Sequence, residues 1–152
     1  MISEGKNDDA IPLLQTGLEQ CSSAGAERYE LLLHLGLALT LSDPAQAVSC
    51  YRQALEIPLG TRVSLGARLN LAARLMEQGE LDEAISLTQT ATQRAPEVAL
   101  SWYNLGLMQR RRGDLAAALE AYARALSLDP NNVACHQTVS YTHLTLPTIP
   151  LV

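Results

Sequence analysis

Apolar residues recur along this chain with the period of a helix, in pairs of stretches joined by short polar turns. Residues 65–78 and 99–112 are two such stretches, and each is followed by a glycine, an acidic residue and a leucine. A second apolar-periodic stretch then runs to a proline. This order predicts a helix, a turn, a second helix and a stop. Gly79 and Gly113 mark the turns, because glycine takes the left-handed conformation that closes a helix.

The same residue types return after 34 residues, the offset between Gly79 and Gly113. Ala84 and Ala118 repeat on the inner side of the second helix, where a small side chain lets the two helices approach closely. A repeat of this length predicts helix pairs that bury their apolar faces against their neighbours. The other pairs at this offset are Asn70 and Asn104, Leu71 and Leu105, Leu81 and Leu115, Ala91 and Ala125, and Pro96 and Pro130.

The last repeat resembles the tetratricopeptide repeat (TPR). The resemblance implies an all-α fold, a right-handed α-solenoid of antiparallel helix pairs, in which the first helix of each pair lines a concave face. It also implies a non-catalytic scaffold or adaptor that binds a peptide or a partner helix in the concave groove. The residues that carry the resemblance are Trp102, Leu105, Gly106, Gly113, Ala118, Tyr122, Ala125 and Pro130.

We expect TPR units at residues 29–64, 65–98 and 99–132. The first of them has a turn one residue shorter. Residues 59–64 form either a longer connection or an extra helical turn before the next unit. Residues 1–28 fit a truncated repeat with a turn near Gly5 and a second helix that Pro12 should distort. Residues 133–138 begin a further repeat. The helices at both ends of the chain lack a neighbouring helix to pack against. We therefore expect a fragment that self-associates through its uncapped ends.

The final residues, 139–152, abandon the helical period for β-branched residues and prolines. This tail resembles the translation of a mosaic-end adapter from transposase-based sequencing libraries, so we expect it to be non-native. A natural β-prone tail is the alternative.

The amino-acid composition argues against several classes of ligand. The chain is 47% hydrophobic but 4% aromatic, with no Phe and a net charge of −5. Phosphate binding needs a basic face, so a nucleic-acid partner is not expected. Cys21, Cys50 and Cys135 lack the spacing of a metal site, and no metal or cofactor is expected. The sequence shows neither a signal peptide nor an apolar run long enough to span a membrane, and a cytoplasmic location follows as the default.

The helical period places a stripe of residues from each first helix on the groove side. This stripe is mostly apolar and contains a few polar residues. We predict that these residues bind the partner. They are Leu33, His34 and Leu37 in the first complete unit, Leu69, Asn70, Ala73 and Met76 in the second, and Tyr103, Asn104, Leu107, Arg110 and Arg111 in the third.

Alternative roles remain for the polar members of this set. Asn70 and Asn104 either bind a peptide backbone, as asparagines so placed do in peptide-binding TPR domains, or satisfy a neighbouring helix. Arg110 and Arg111 either attract an acidic partner or complement the helix dipole. His34 is read as a partly buried helix residue rather than a ligand.

The TPR type that clamps the acidic tails of chaperones has basic residues near the start of the groove-lining helices. Glu30, Gly66 and Leu100 occupy those places here, which disfavours that function. No catalytic constellation is recognisable, so we do not expect an enzyme. The alternative is the repeat region of a larger bacterial enzyme, such as a glycosyltransferase, sulfotransferase or methyltransferase, whose catalytic domain lies outside this chain.

Overall fold

The computed structural model describes residues 2–132 and 134–135, with side chains from Asp9 onward. Every regular element in this part of the chain is an α-helix, which confirms the predicted all-α class. The tail at 139–152 and most of 133–138 lie outside the described residues. The helices are α1 (Ile2–Gln20), α2 (Ala26–Leu39), α3 (Pro44–Glu56), α4 (Leu65–Glu77), α5 (Leu81–Arg94), α6 (Ala99–Arg112) and α7 (Leu115–Leu128).

The chain divides into two compact units, one up to Gly79 and one from Glu80. In the first unit α1 packs on α2, α2 on α3, and α3 on α4. In the second unit α5 packs on α6, and α6 on α7. Within each unit the helices therefore pack against their neighbours in chain order, as in a repeat protein.

The helix starts follow the sequence repeat. Leu65 and Ala99 begin α4 and α6, and Leu81 and Leu115 begin α5 and α7, so both pairs keep the predicted offset. Gly79 and Gly113 have φ of 85° and 94°, which confirms their left-handed conformation. Only glycine adopts this region without a steric cost, so the two turns are fixed by residue type.

Two second helices begin with a carboxylate cap. The Asp43 side chain accepts a hydrogen bond from the Gln46 backbone N–H at 3.1 Å, and Pro44 occupies the first helical turn. Asp114 accepts from the Ala117 N–H at 3.2 Å. These bonds satisfy N–H groups that have no partner inside the helix, and they fix where α3 and α7 start.

A glycine and a tyrosine bring the two helices of a pair together. A Cβ on Gly36 would lie 2.5 Å from Cε1 of Tyr51, and a Cβ on Gly106 would lie 2.4 Å from Cε1 of Tyr122. Both rings are fully buried. Each glycine is therefore required by packing, because any side chain would overlap the ring.

The N-terminal region differs from the prediction. Helix α1 begins at Ile2, so Gly5 lies inside a helix and the predicted turn there is wrong. Glycine permits a turn but does not impose one, and no helix ends at this position. Pro12 lies within the same continuous helix, and its carbonyl accepts a hydrogen bond from the Thr16 hydroxyl at 2.9 Å.

The predicted long connection before α4 is confirmed. Residues 57–64 join α3 to α4, and Gly60 takes a φ of 62° within them. The Ser64 hydroxyl donates to the Gly60 carbonyl at 3.0 Å. This bond closes the loop directly before the first turn of α4.

Candidate peptide-binding surface

The predicted stripe on α2 presents an apolar edge to solvent. Leu33, Leu37 and Leu41 are four residues apart and so follow one side of the helix and its C-terminal turn. Leu37 is 42% exposed and Leu41 is 74% exposed, while Leu33 is half-buried. We call these three leucines the α2 edge. It offers contact area to an apolar side chain of a partner.

His34 lies beside the α2 edge at the surface. Its side chain is 60% exposed, and Nε2 lies 3.5 Å from Oε2 of Glu30 one turn earlier. The expectation of a partly buried histidine is therefore wrong, because the helical period turns His34 and Glu30 to the solvent side of α2. An exposed pair of this kind contributes little to stability.

A buried hydrogen bond joins α2 to the start of α4. The Tyr29 hydroxyl accepts from the Ala67 backbone N–H at 3.2 Å, and Tyr29 is 1% exposed. Burial raises the pKa of Tyr29, so the hydroxyl stays neutral. A Cβ on Gly66 would lie 3.5 Å from Cδ2 of Leu33. The α2 edge therefore adjoins the first turn of α4.

On α4 the predicted stripe is partly interior. Leu69 is 7% exposed, which contradicts its predicted place in an open groove. The reason is that the buried arc of α4 runs from Ala67 through Leu71 to Leu69, more than half of the helix circumference. Ala73 and Met76 are half-buried.

The two repeated asparagines have different surroundings. Asn70 is half-buried, and its Nδ2 donates to the Gly66 carbonyl of its own helix at 2.8 Å. Asn104 is also half-buried, but its side chain makes no hydrogen bond to any other residue in the described part of the chain. Asn104 therefore keeps both its donor and its acceptor capacity for a ligand, whereas Asn70 uses one donor internally.

The aromatic and apolar members of the α6 stripe flank the core of the second unit. Tyr103 and Leu107 pack against a buried cluster that contains Tyr122 and Cys135. The Tyr103 and Tyr122 ring centroids lie 6.0 Å apart at an interplanar angle of 44°. This packing fixes the Tyr103 ring next to Asn104. Arg110 is half-buried and Arg111 is exposed at the end of the same helix.

The sequence did not indicate how differently the hydroxyls of Tyr51 and Tyr122, the tyrosines that pack on the glycines, are placed. Tyr51 Oη lies 3.4 Å from Thr40 Oγ1, whereas Tyr122 Oη is buried without a hydrogen-bond partner among the described residues. Burial raises the pKa of Tyr122 to about 12, and the Arg110 cation opposes this more weakly. The residue four positions after the packing glycine could have indicated this difference, because it is Thr40 in one unit and Arg110 in the other.

Two of the three cysteines lie in the core. Cys50 and Cys135 are free and buried, and burial raises the pKa of both thiols, which disfavours the nucleophilic thiolate. Among the described residues no three His, Cys, Asp or Glu side chains are grouped so that they could hold a metal ion. In the same part of the chain, no helix combines the length and apolar character needed to cross a membrane.

Comparison with known proteins supports the predicted family resemblance. A family model for the tetratricopeptide repeat matches residues 69–133. The solved structure of YrrB, described as a TPR protein with an unusual peptide-binding site, superposes with a TM-score of 0.75 at 25% identity, over 91% of this chain and 69% of that one. The part of the chain from residue 69 to residue 133 is a tetratricopeptide-repeat region. The predicted resemblance and the solenoid class are thereby confirmed.

Other solved structures share the fold of this chain. MamA 41-end from Desulfovibrio magneticus RS-1 gives a TM-score of 0.78 at 23% identity, over 94% of this chain and 77% of that one. The first TPR of Spaghetti (RPAP3), bound to the HSP90 peptide SRMEEVD, gives 0.74 at 18% identity, over 82% and 99%. No curated protein sequence matches the chain at a significant level.

Proposed function

We propose that this chain is a non-catalytic protein-interaction module, which holds an extended peptide or a partner helix against the exposed faces of its first helices. The observation that carries the proposal is Asn104, a half-buried amide on α6 with no hydrogen bond to another described residue. A side-chain amide in this state can both donate to and accept from the backbone of a bound peptide.

The α2 edge supports the same role in the first unit. Leu37 and Leu41 expose apolar surface one turn apart, and they adjoin the start of α4 through Leu33. Burial of such side chains by a partner releases roughly 25 cal/mol for each Å² removed from water. In the first unit these leucines would supply apolar contact area, and in the second unit the Asn104 amide would hydrogen-bond a peptide backbone.

Two of the similar structures support a peptide as the ligand class, since YrrB has a peptide-binding site and the RPAP3 repeat holds an HSP90 peptide. The acidic chaperone tail itself fits this chain poorly. Glu30 and Leu100 are exposed where that type carries cations, and Gly66 has no side chain. A carboxylate would meet repulsion from Glu30 instead of an ion pair.

The test begins with selection of a binding peptide from a random library displayed on phage, followed by calorimetry with the synthetic peptide. Asn104→Ala should weaken binding about fivefold to tenfold, because the peptide backbone loses its partner. Asn131→Ala is the matched control, since Asn131 is an exposed residue after α7. Failure to select any peptide, or equal affinities for the two variants, would refute the proposal.

A further inference from the structure

The start of α4 is held by a residue of another helix. Ala67 is the third residue of α4, and its backbone N–H donates to the Tyr29 hydroxyl of α2 at 3.2 Å. Gln46 and Ala117 occupy the same position in α3 and α7, and each of their amides donates to the aspartate that directly precedes its own helix. Tyr29 therefore replaces a local cap on α4.

The residue that precedes α4 does not cap the helix. Ser64 has a φ of −82° and a ψ of 5°, outside the extended region that capping residues adopt, and its side chain makes no bond to the helix start. Its hydroxyl donates instead to the Gly60 carbonyl at 3.0 Å. Tyr29 and Ala67 are 1% and 0% exposed, so water cannot replace either partner. The Ala67 amide therefore depends on α2 for its hydrogen bond.

This bond lies beside the surface proposed for ligand binding in the first unit. Tyr29 lies one turn before Leu33 on α2, and a Cβ on Gly66 would stand 3.5 Å from Cδ2 of Leu33. The two helices thus meet directly at this end. Both also pack on α3. The bond and the contact with α3 together fix the separation of α2 from α4.

We infer that Tyr29 is a positioning residue for the ligand surface of the first unit. Its bond to Ala67 holds the start of α4 against α2, so that the α2 edge and the half-buried Asn70 and Ala73 form one surface. Without the bond, a ligand that contacts both helices must itself order the start of α4 and loses affinity. The inference rests on the proposed function.

The test needs a peptide that uses the α2 edge. Peptides are selected on the whole chain by phage display and kept if they fail to bind Leu37→Glu, a change at an exposed position. Tyr29→Phe keeps the ring but removes the hydroxyl, and it should weaken binding of such a peptide about fivefold to tenfold. Hydrogen exchange of the Ala67 amide should accelerate by a similar factor, because the first turn of α4 opens more often.

Tyr51→Phe is the matched control. It also removes a buried hydroxyl from the first unit, but the neighbour of that hydroxyl is Thr40 rather than α4. The control should leave both the peptide affinity and the exchange of the Ala67 amide unchanged. A general loss of stability would affect the two variants alike, so the comparison separates positioning from stability.

A second measurement uses the unmodified chain and does not depend on whether a variant folds. If the bond raises the affinity for the peptide, the bound peptide stabilises the bond by the same factor. Saturation with the peptide should therefore slow exchange of the Ala67 amide about fivefold to tenfold relative to the Gln46 amide. The Gln46 amide is the reference because Asp43 caps it from within the same loop and helix.

The inference would be overturned by unchanged peptide affinity in Tyr29→Phe, by equal losses in Tyr51→Phe, or by equal slowing of the two amides. Failure to select any peptide that needs Leu37 would also overturn it. That last result would leave the Asn104 surface of the second unit untouched, so it is distinguishable from failure of the proposed function.

Discussion

Gly106 and Tyr122 approach so closely that a Cβ on Gly106 would stand 2.4 Å from Cε1 of the ring. Gly106→Ala should therefore destabilise the chain by about 1 to 3 kcal/mol through overpacking, an effect that the better helix propensity of alanine only partly offsets. Urea unfolding followed by circular dichroism measures this change. Gly66→Ala is the control, because its nearest neighbours lie at 3.5 Å or more, and it should be neutral or stabilising. Equal effects of the two substitutions would contradict the packing account.

The hydroxyl groups of Tyr51 and Tyr122 should differ in their contribution to stability. Tyr122→Phe removes a buried hydroxyl that has no partner among the described residues, so stability should stay constant or rise by up to about 1 kcal/mol. Tyr51→Phe removes the contact with Thr40 at 3.4 Å and should cost about 0.5 to 1 kcal/mol. Parallel denaturation curves at neutral pH compare the two variants. A larger loss for Tyr122→Phe would show that its hydroxyl has a partner.

Alkaline pH should destabilise the chain through Tyr122. Burial raises its pKa from 10.0 to about 12, so the unfolded state loses this proton at a lower pH than the folded state does. Stability should consequently fall as the pH rises from about 10 to about 12, by about 2 to 3 kcal/mol from this residue. Tyr122→Phe should show a shallower decline in unfolding free energy over that range. Identical pH profiles for the two proteins would contradict the assigned burial.

A glutamate should destabilise the chain strongly at Leu105 on α6 but hardly at Leu41, which follows α2. Leu105 is 5% exposed, so Leu105→Glu buries a carboxylate and should cost more than about 4 kcal/mol, enough to unfold the second unit. Leu41 is 74% exposed, and Leu41→Glu should change stability by less than about 0.5 kcal/mol. Thermal unfolding and calorimetry measure the two effects. A folded Leu105→Glu protein would place Leu105 outside the core.

The helix boundaries were predictable because single residue types determine them. Gly79 and Gly113 adopt a conformation that other residues avoid, and the Asp43 and Asp114 carboxylates satisfy helix N–H groups. These are local effects, and sequence spacing reports them directly. Gly5 shows the limit of such local evidence. The sequence around it resembles that of a turn, yet Gly5 lies within a continuous helix.

The surface was less predictable because exposure depends on neighbouring helices. The helical period places Leu69 on the groove stripe, yet it is buried since the packed arc of α4 is wide. The same reasoning predicts a partly buried site for His34, but its side chain is exposed. Trp102 was predicted only to be part of the repeat signature, and its sequence position gave no indication of the adjoining cavity between α6 and α7.

Chemical-shift mapping with the selected peptide shows whether a partner peptide contacts the first helices. A titration of the ¹⁵N-labelled chain should move the resonances of residues on the α6 stripe, with Asn104 among them. The side-chain amide of Asn104 should shift strongly, since it gains hydrogen bonds. Shifts confined to α3, α5 and α7, with the Asn104 amide unchanged, would contradict the account.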